Sequence, residues 1–81
     1  MYEYKVTFKR GAASDTFIVD SHINPASLIL DVHAGYSYGD YEYVQECLTV
    51  LQSLARRRYD FSPRQAFMHV TLPDGTVVEP T

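Results

Sequence analysis

The chain opens on strict alternation. Tyr2, Tyr4, Val6 and Phe8 interleave with Glu3, Lys5, Thr7 and Lys9, the period of two required by a strand with one buried and one wet face. Residues 10–15, with Gly11 and Ser14 among them, read as a connecting loop. Residues 16–20 read as a second strand carrying Phe17 and Val19 on one face, so the two strands make a hairpin. The pattern then turns helical. Asn24 and Pro25 are a start signal: the Asn side chain can accept from free backbone N–H groups, and Pro suits the first helical position. A short helix over residues 26–34 follows, with Leu28, Ile29 and Val32 as its apolar face and Gly35 as its stop.

Residues 35–39 are expected to connect this helix to a second, capped by Asp40 and running to about Arg58. At 100° per residue Val44, Leu48, Leu51 and Ala55 align, flanked by Cys47, Leu54 and Tyr41, with Tyr43 and Val50 at the rim. Glu42, Gln45, Glu46, Thr49, Gln52, Ser53, Arg56 and Arg57 take the opposite side, and Arg58 points back toward the apolar arc. Acids in the first turns and arginines in the last complement the helix dipole. Residues 60–63 break the pattern, residues 65–72 predict a third strand, and Pro73, Asp74, Gly75 and Thr76 form a tight-turn signal before a short fourth strand over residues 76–79. The resulting order is ββααββ. It predicts one small α+β domain over residues 1–81, a four-stranded antiparallel sheet with two helices packed on one face.

Charge changes the picture more than composition does. The 81 residues carry a net charge of −3, and 46% of them are hydrophobic, which excludes a disordered chain. Between Gly11 and Ala55 there is no Lys or Arg, but there are six carboxylates: Asp15, Asp20, Asp31, Asp40, Glu42 and Glu46. Within that stretch Tyr36, Tyr38, Tyr41 and Tyr43 fall in eight residues. Positive charge gathers at Lys5, Lys9 and Arg10 and again at Arg56, Arg57, Arg58 and Arg64. Such asymmetry steers charged partners even when the total is small. Cys47 is the single cysteine, which excludes an internal disulfide and favours a reducing, cytoplasmic setting. No apolar run approaches the length of a membrane span or a signal peptide.

Candidate chemistry is sparse. Asp20, Ser21 and His22 hold the residue types of a nucleophilic triad, but adjacent residues rarely converge on one substrate, and they read instead as a turn into the Asn24 cap. His22, His33, His69 and Cys47 show no metal-ligand spacing. The four glycines are isolated, without a phosphate-binding pattern. No catalytic, cofactor or metal residue is therefore assigned, and the expectation is a protein that is not an enzyme.

The functional expectation is a protein-binding module. Tyr36, Tyr38, Asp31, Asp40, Glu42 and Glu46 form its contact surface, and the partner presents Arg and Lys. An inhibitor of a basic nucleic-acid-handling protein is one concrete version. In size and charge the chain resembles the small inhibitors that phages direct against bacterial defence, anti-CRISPR proteins among them, although no motif carries that likeness. Long-duplex mimicry is excluded by charge density. The alternatives are weak nucleic-acid binding through Lys5, Lys9, Arg57 and Arg64, and a homodimeric structural protein.

Overall fold

A computed structural model describes residues 1–59 and 65–80. Its elements run β1 (Tyr2–Arg10), β2 (Ala13–Ser21), α1 (Pro25–Ser37), α2 (Tyr41–Arg58), β3 (Ala66–Thr71) and β4 (Val77–Val78). The expected ββααββ order is the observed one. All pairings are antiparallel, and the sheet order is β2-β1-β3-β4, so β1 lies between β2 and β3.

The first hairpin is tighter than the sequence suggests. Arg10 pairs with Ala13, leaving Gly11 and Ala12 as a two-residue loop. Gly11 has φ +62° and Ala12 has negative φ, which suits a type II′ turn with Gly first. Residues 13–15 therefore belong to β2 rather than to a loop. Asp15 itself accepts from Arg10 Nε at 3.1 Å and from Gln65 Nε2 at 2.6 Å.

The helices meet one face of the sheet in a single core. Tyr4, Val6 and Phe8 of β1, Val19 of β2, Val70 of β3 and Val78 of β4 pack against Leu28, Val32, Val44, Leu48, Leu51 and Ala55. The aligned set on α2 is the buried set, and each of its larger side chains contributes about 1.5–3 kcal/mol by leaving water. The phenol of Tyr4 donates to the Ile23 carbonyl at 2.6 Å, tying the central strand to the approach to α1. The other face of the sheet bears no helix. At its centre Thr7 is nonetheless buried, between Thr16, whose hydroxyl lies 3.0 Å away, and His69.

Four local expectations need correction. First, Gly35 does not end α1. It is buried inside the helix, where an added Cβ would lie 2.6 Å from Val44 Cγ2 and 3.1 Å from Tyr43 Cδ1. Its role is to let α1 approach α2. The stop is Gly39, with φ +69°. Its N–H donates to the Tyr36 carbonyl and that of Asp40 to the Gly35 carbonyl, the paired bonds of a Schellman closure. Tyr36 therefore belongs to the last turn of α1, with Tyr38 as its C-cap, and neither lies in a free five-residue connection.

Second, Tyr41 does not join the apolar arc of α2, since it is 52% exposed. Third, Arg56 rather than Arg58 lies over the core, its guanidinium 4.8 Å from the Phe8 ring centre, while Arg58 sits over Tyr59. Fourth, β3 does not alternate evenly. The register slips between Thr7 and Phe8, so Phe67 faces the core while His69 pairs with Thr7, and Met68 is the extra residue of a bulge. The breaker at residues 60–63 and Arg64 lie outside the described residues.

Candidate functional site

The outward surface of the helix pair is built around Gly35. Because that residue has no side chain, the Tyr43 ring settles close over it. One turn earlier on α1 stands Asp31, and one turn later on α2 stands Cys47. The charge of Asp31 is the main cause that raises the Tyr43 phenol above its ordinary value, with Cys47 adding to it through its charge and a side-chain hydrogen bond. Burial raises the Cys47 thiol, the Tyr43 hydrogen bond works against this, and the charges of Asp31 and Glu46 reinforce it. Tyr43, Asp31 and Cys47 thus form one electrostatic group across the two helices, with a carboxylate as its charged member.

Beside this group lies a depression of about 370 Å³ lined by Ala34, Gly35, Tyr38, Asp40 and Tyr43. Tyr38 is 88% exposed although it caps an ordered helix. Asp40 caps α2 by accepting from the Tyr43 N–H at 3.0 Å. Glu46 borders Cys47 on the exposed side of α2, and Glu42 stands one turn before it in the first turn of that helix. Asp31, Tyr38, Asp40 and Glu46 thus stand around Tyr43 and Cys47, whereas Glu42 is placed only on the exposed side of α2, one turn before Glu46.

Tyr36 stands apart. It is half buried against the core and meets Tyr41 edge to face at 6.1 Å. Burial first, then the charges of Glu79 and Tyr41, raise its phenol, which places it on the β4 side of α1. Tyr43 takes its place at the depression. A helical wheel puts Tyr43 at the rim of the apolar arc, and the signal that would have brought it outward is Gly35, read as a close approach instead of a stop.

The remaining constellations are dispersed. Ser21 is buried and its hydroxyl accepts from the Ile23 N–H at 3.1 Å, so it shapes the turn into α1. Among the described residues no three His, Cys, Asp or Glu side chains gather as a metal site. Lys5 and Lys9 stand on the helix-free face of the sheet, whereas Arg57 lies on α2 on the other side. Arg64, the fourth member of that basic set, lies outside the described residues. No helix among the described residues is long and apolar enough to cross a membrane. Comparison with family models, curated proteins and solved structures finds no match to this chain.

Proposed function

We propose that this chain is a non-enzymatic protein-binding module, and that the outer surface of α1 and α2 docks on an Arg- and Lys-rich surface of its partner. The observation that carries this reading is the placement of two exposed tyrosines, Tyr38 and Tyr43, around one apolar depression that Asp40 lines, with the charge of Asp31 acting on Tyr43 and that of Glu46 on the neighbouring Cys47. Tyrosine supplies a large, stiff contact area at small entropic cost. A guanidinium or ammonium entering the depression meets aromatic faces and carboxylates together, both of which attract it. No Lys or Arg occurs between Gly11 and Ala55 to compete for that surface from within the stretch. An inhibitor that plugs the basic groove of a nucleic-acid-handling protein is the concrete form of this function.

The test is affinity capture of the partner from host lysate, followed by association kinetics with the purified partner. Tyr38→Ala with Tyr43→Ala is expected to raise Kd by tenfold or more, as loss of two aromatic contacts does at an interface centre. Glu42→Lys with Glu46→Lys should slow association and flatten its salt dependence. A partner that binds both double variants as it binds the wild type overturns the reading. So does light scattering that shows this same surface closed in a homodimer.

A further inference from the structure

A second surface lies on the opposite side of α1. Leu28, Val32 and Gly35 point into the core, and Ile29 and Tyr36 are half buried next to β4, yet Leu30 is 70% exposed. A helix apolar around so much of its circumference is ordinarily covered on most sides. Here two hollows meet at Ile29. One, of about 690 Å³, is lined mainly by Tyr2, Pro25, Leu30, Leu72 and Pro73. The other, of about 370 Å³, runs between Val32 and Tyr36 of α1 and Val77 and Val78 of β4.

The far wall of the smaller hollow is a sheet edge with its main chain turned outward, and that of the larger is Tyr2 with residues 72–74 of the adjoining turn. β4 pairs with β3 and is the last strand in the sheet order. The Leu72 N–H donates to the Thr76 carbonyl at 2.8 Å, so that residue pair is a hydrogen-bonded one. Antiparallel pairs alternate; Thr71 with Val77 is then a non-bonded pair, and Val70 with Val78 a bonded one. The N–H and C=O of Val77 consequently point away from β3, toward an incoming strand. The opposite edge differs, because the Tyr59 hydroxyl already donates to the Ile18 carbonyl of β2 at 2.9 Å.

Charge selects the occupant. Asp74 lines one end of the groove and Glu79 the other, and no described Lys or Arg lines either hollow. We propose that the groove between α1 and β4 binds an extended segment of a partner protein as a fifth strand, with apolar side chains at alternate positions and Lys or Arg at its ends. Its backbone pairs with Val77. One set of alternate side chains enters the groove against Ile29, Val32 and Tyr36, and the other set lies beside Val77 on the open sheet face. The run of α1 from Pro25 to Tyr36 spans about 17 Å at 1.5 Å per residue, which an extended chain covers in about five residues. Pro73 and Pro80 bracket the edge and keep the pairing short.

The probe is an array of seven-residue peptides with Val, Ile, Leu or Phe at positions three and five and Lys at both ends. One control set carries Glu at the ends, and another places the two apolar residues side by side. The tightest peptide is then titrated by fluorescence anisotropy and by amide NMR. Lys-ended alternating peptides are expected to bind at least tenfold tighter than either control set, and the Val77 amide to gain protection from exchange. Val77→Pro should keep the sheet, since the lost N–H bonds nothing in it, and should weaken binding at least tenfold. Ile29→Glu should do the same by charging the groove. Tyr38→Ala with Tyr43→Ala should leave peptide binding unchanged, which separates this site from the helix surface above. The proposal is overturned if no array peptide saturates, or if both groove variants bind like the wild type. Self-association that protects Val77 without peptide also overturns it, by making a second copy of this chain the occupant.

Discussion

Two glycines four residues apart do unrelated jobs, and substitution tells them apart. At Gly35 a methyl group would sit 2.6 Å from Val44 Cγ2 and 3.3 Å from the Asp40 carbonyl. Val44 is fully buried and the carbonyl belongs to the backbone, so neither neighbour yields easily. Gly35→Ala gains about 1 kcal/mol of helix propensity but meets an overpacking cost of about 1–3 kcal/mol, and the expected result of urea unfolding is net destabilisation. Adding Val44→Ala should recover part of the clash term, a coupling that a double-mutant cycle reads directly. At Gly39 space is open and φ is +69°, so Gly39→Ala costs about 1–2 kcal/mol through the left-handed backbone alone. No second substitution at α2 should relieve it. From the sequence Gly35 reads as the helix stop and Gly39 only as part of the connection after it, because a glycine advertises conformational freedom and close approach in the same way.

At the scale of elements, α2 was the most legible part of the chain. Its cap, its length and its four buried positions all follow from period and end signals that reinforce one another. Read from the sequence, α1 ends three residues early, at residue 34 instead of Ser37, and the same glycine divides the helix surface wrongly between Tyr36 and Tyr43. Strand order and the bulge at Met68 were beyond reach, since both depend on which strands meet across the sheet rather than on any local pattern. The α2 cap also lets stability and recognition be tested separately at one residue. Asp40→Ala removes the acceptor for the Tyr43 N–H and should cost about 1 kcal/mol by thermal or urea unfolding. Asn caps about as well as Asp, so Asp40→Asn should keep that stability while removing one negative charge from the depression. Slower association with an unchanged unfolding midpoint is the expected signature; an unchanged rate would take Asp40 out of the contact surface.

Across the whole molecule, titration favours the neutral form of the groups that hold the helices to the sheet. Burial, with Tyr2 as a minor cause, raises the phenol of Tyr4, whose proton bonds the Ile23 carbonyl. Tyr36, Tyr43 and Cys47 are raised as well. A group whose folded value lies above its unfolded one contributes stability that is complete below the unfolded value and lost as pH rises through the folded one. For the tyrosines that loss begins above a pH of about 10. On the acid side the shift has the opposite sign: the Thr76 N–H at 2.9 Å lowers Asp74. Its contribution is present above a pH of about 4 and is lost as pH falls through the lowered value. Asp74 stands in an exposed turn, however, and its share is small. On the alkaline side the loss from Cys47 begins lower than that from the tyrosines, above a pH of about 8.5. Urea unfolding between pH 7 and pH 11 should therefore show a midpoint that is level to about pH 8.5, falls gently, and falls more steeply above about pH 10. Tyr4→Phe should lower the whole curve by about 0.5–1.5 kcal/mol for the lost hydrogen bond and make the alkaline fall shallower, because one of the titrating phenols is gone. An alkaline limb of unchanged steepness in Tyr4→Phe would assign the loss to Tyr36, Tyr43 and Cys47 rather than to the Tyr4 bond between the central strand and the approach to α1.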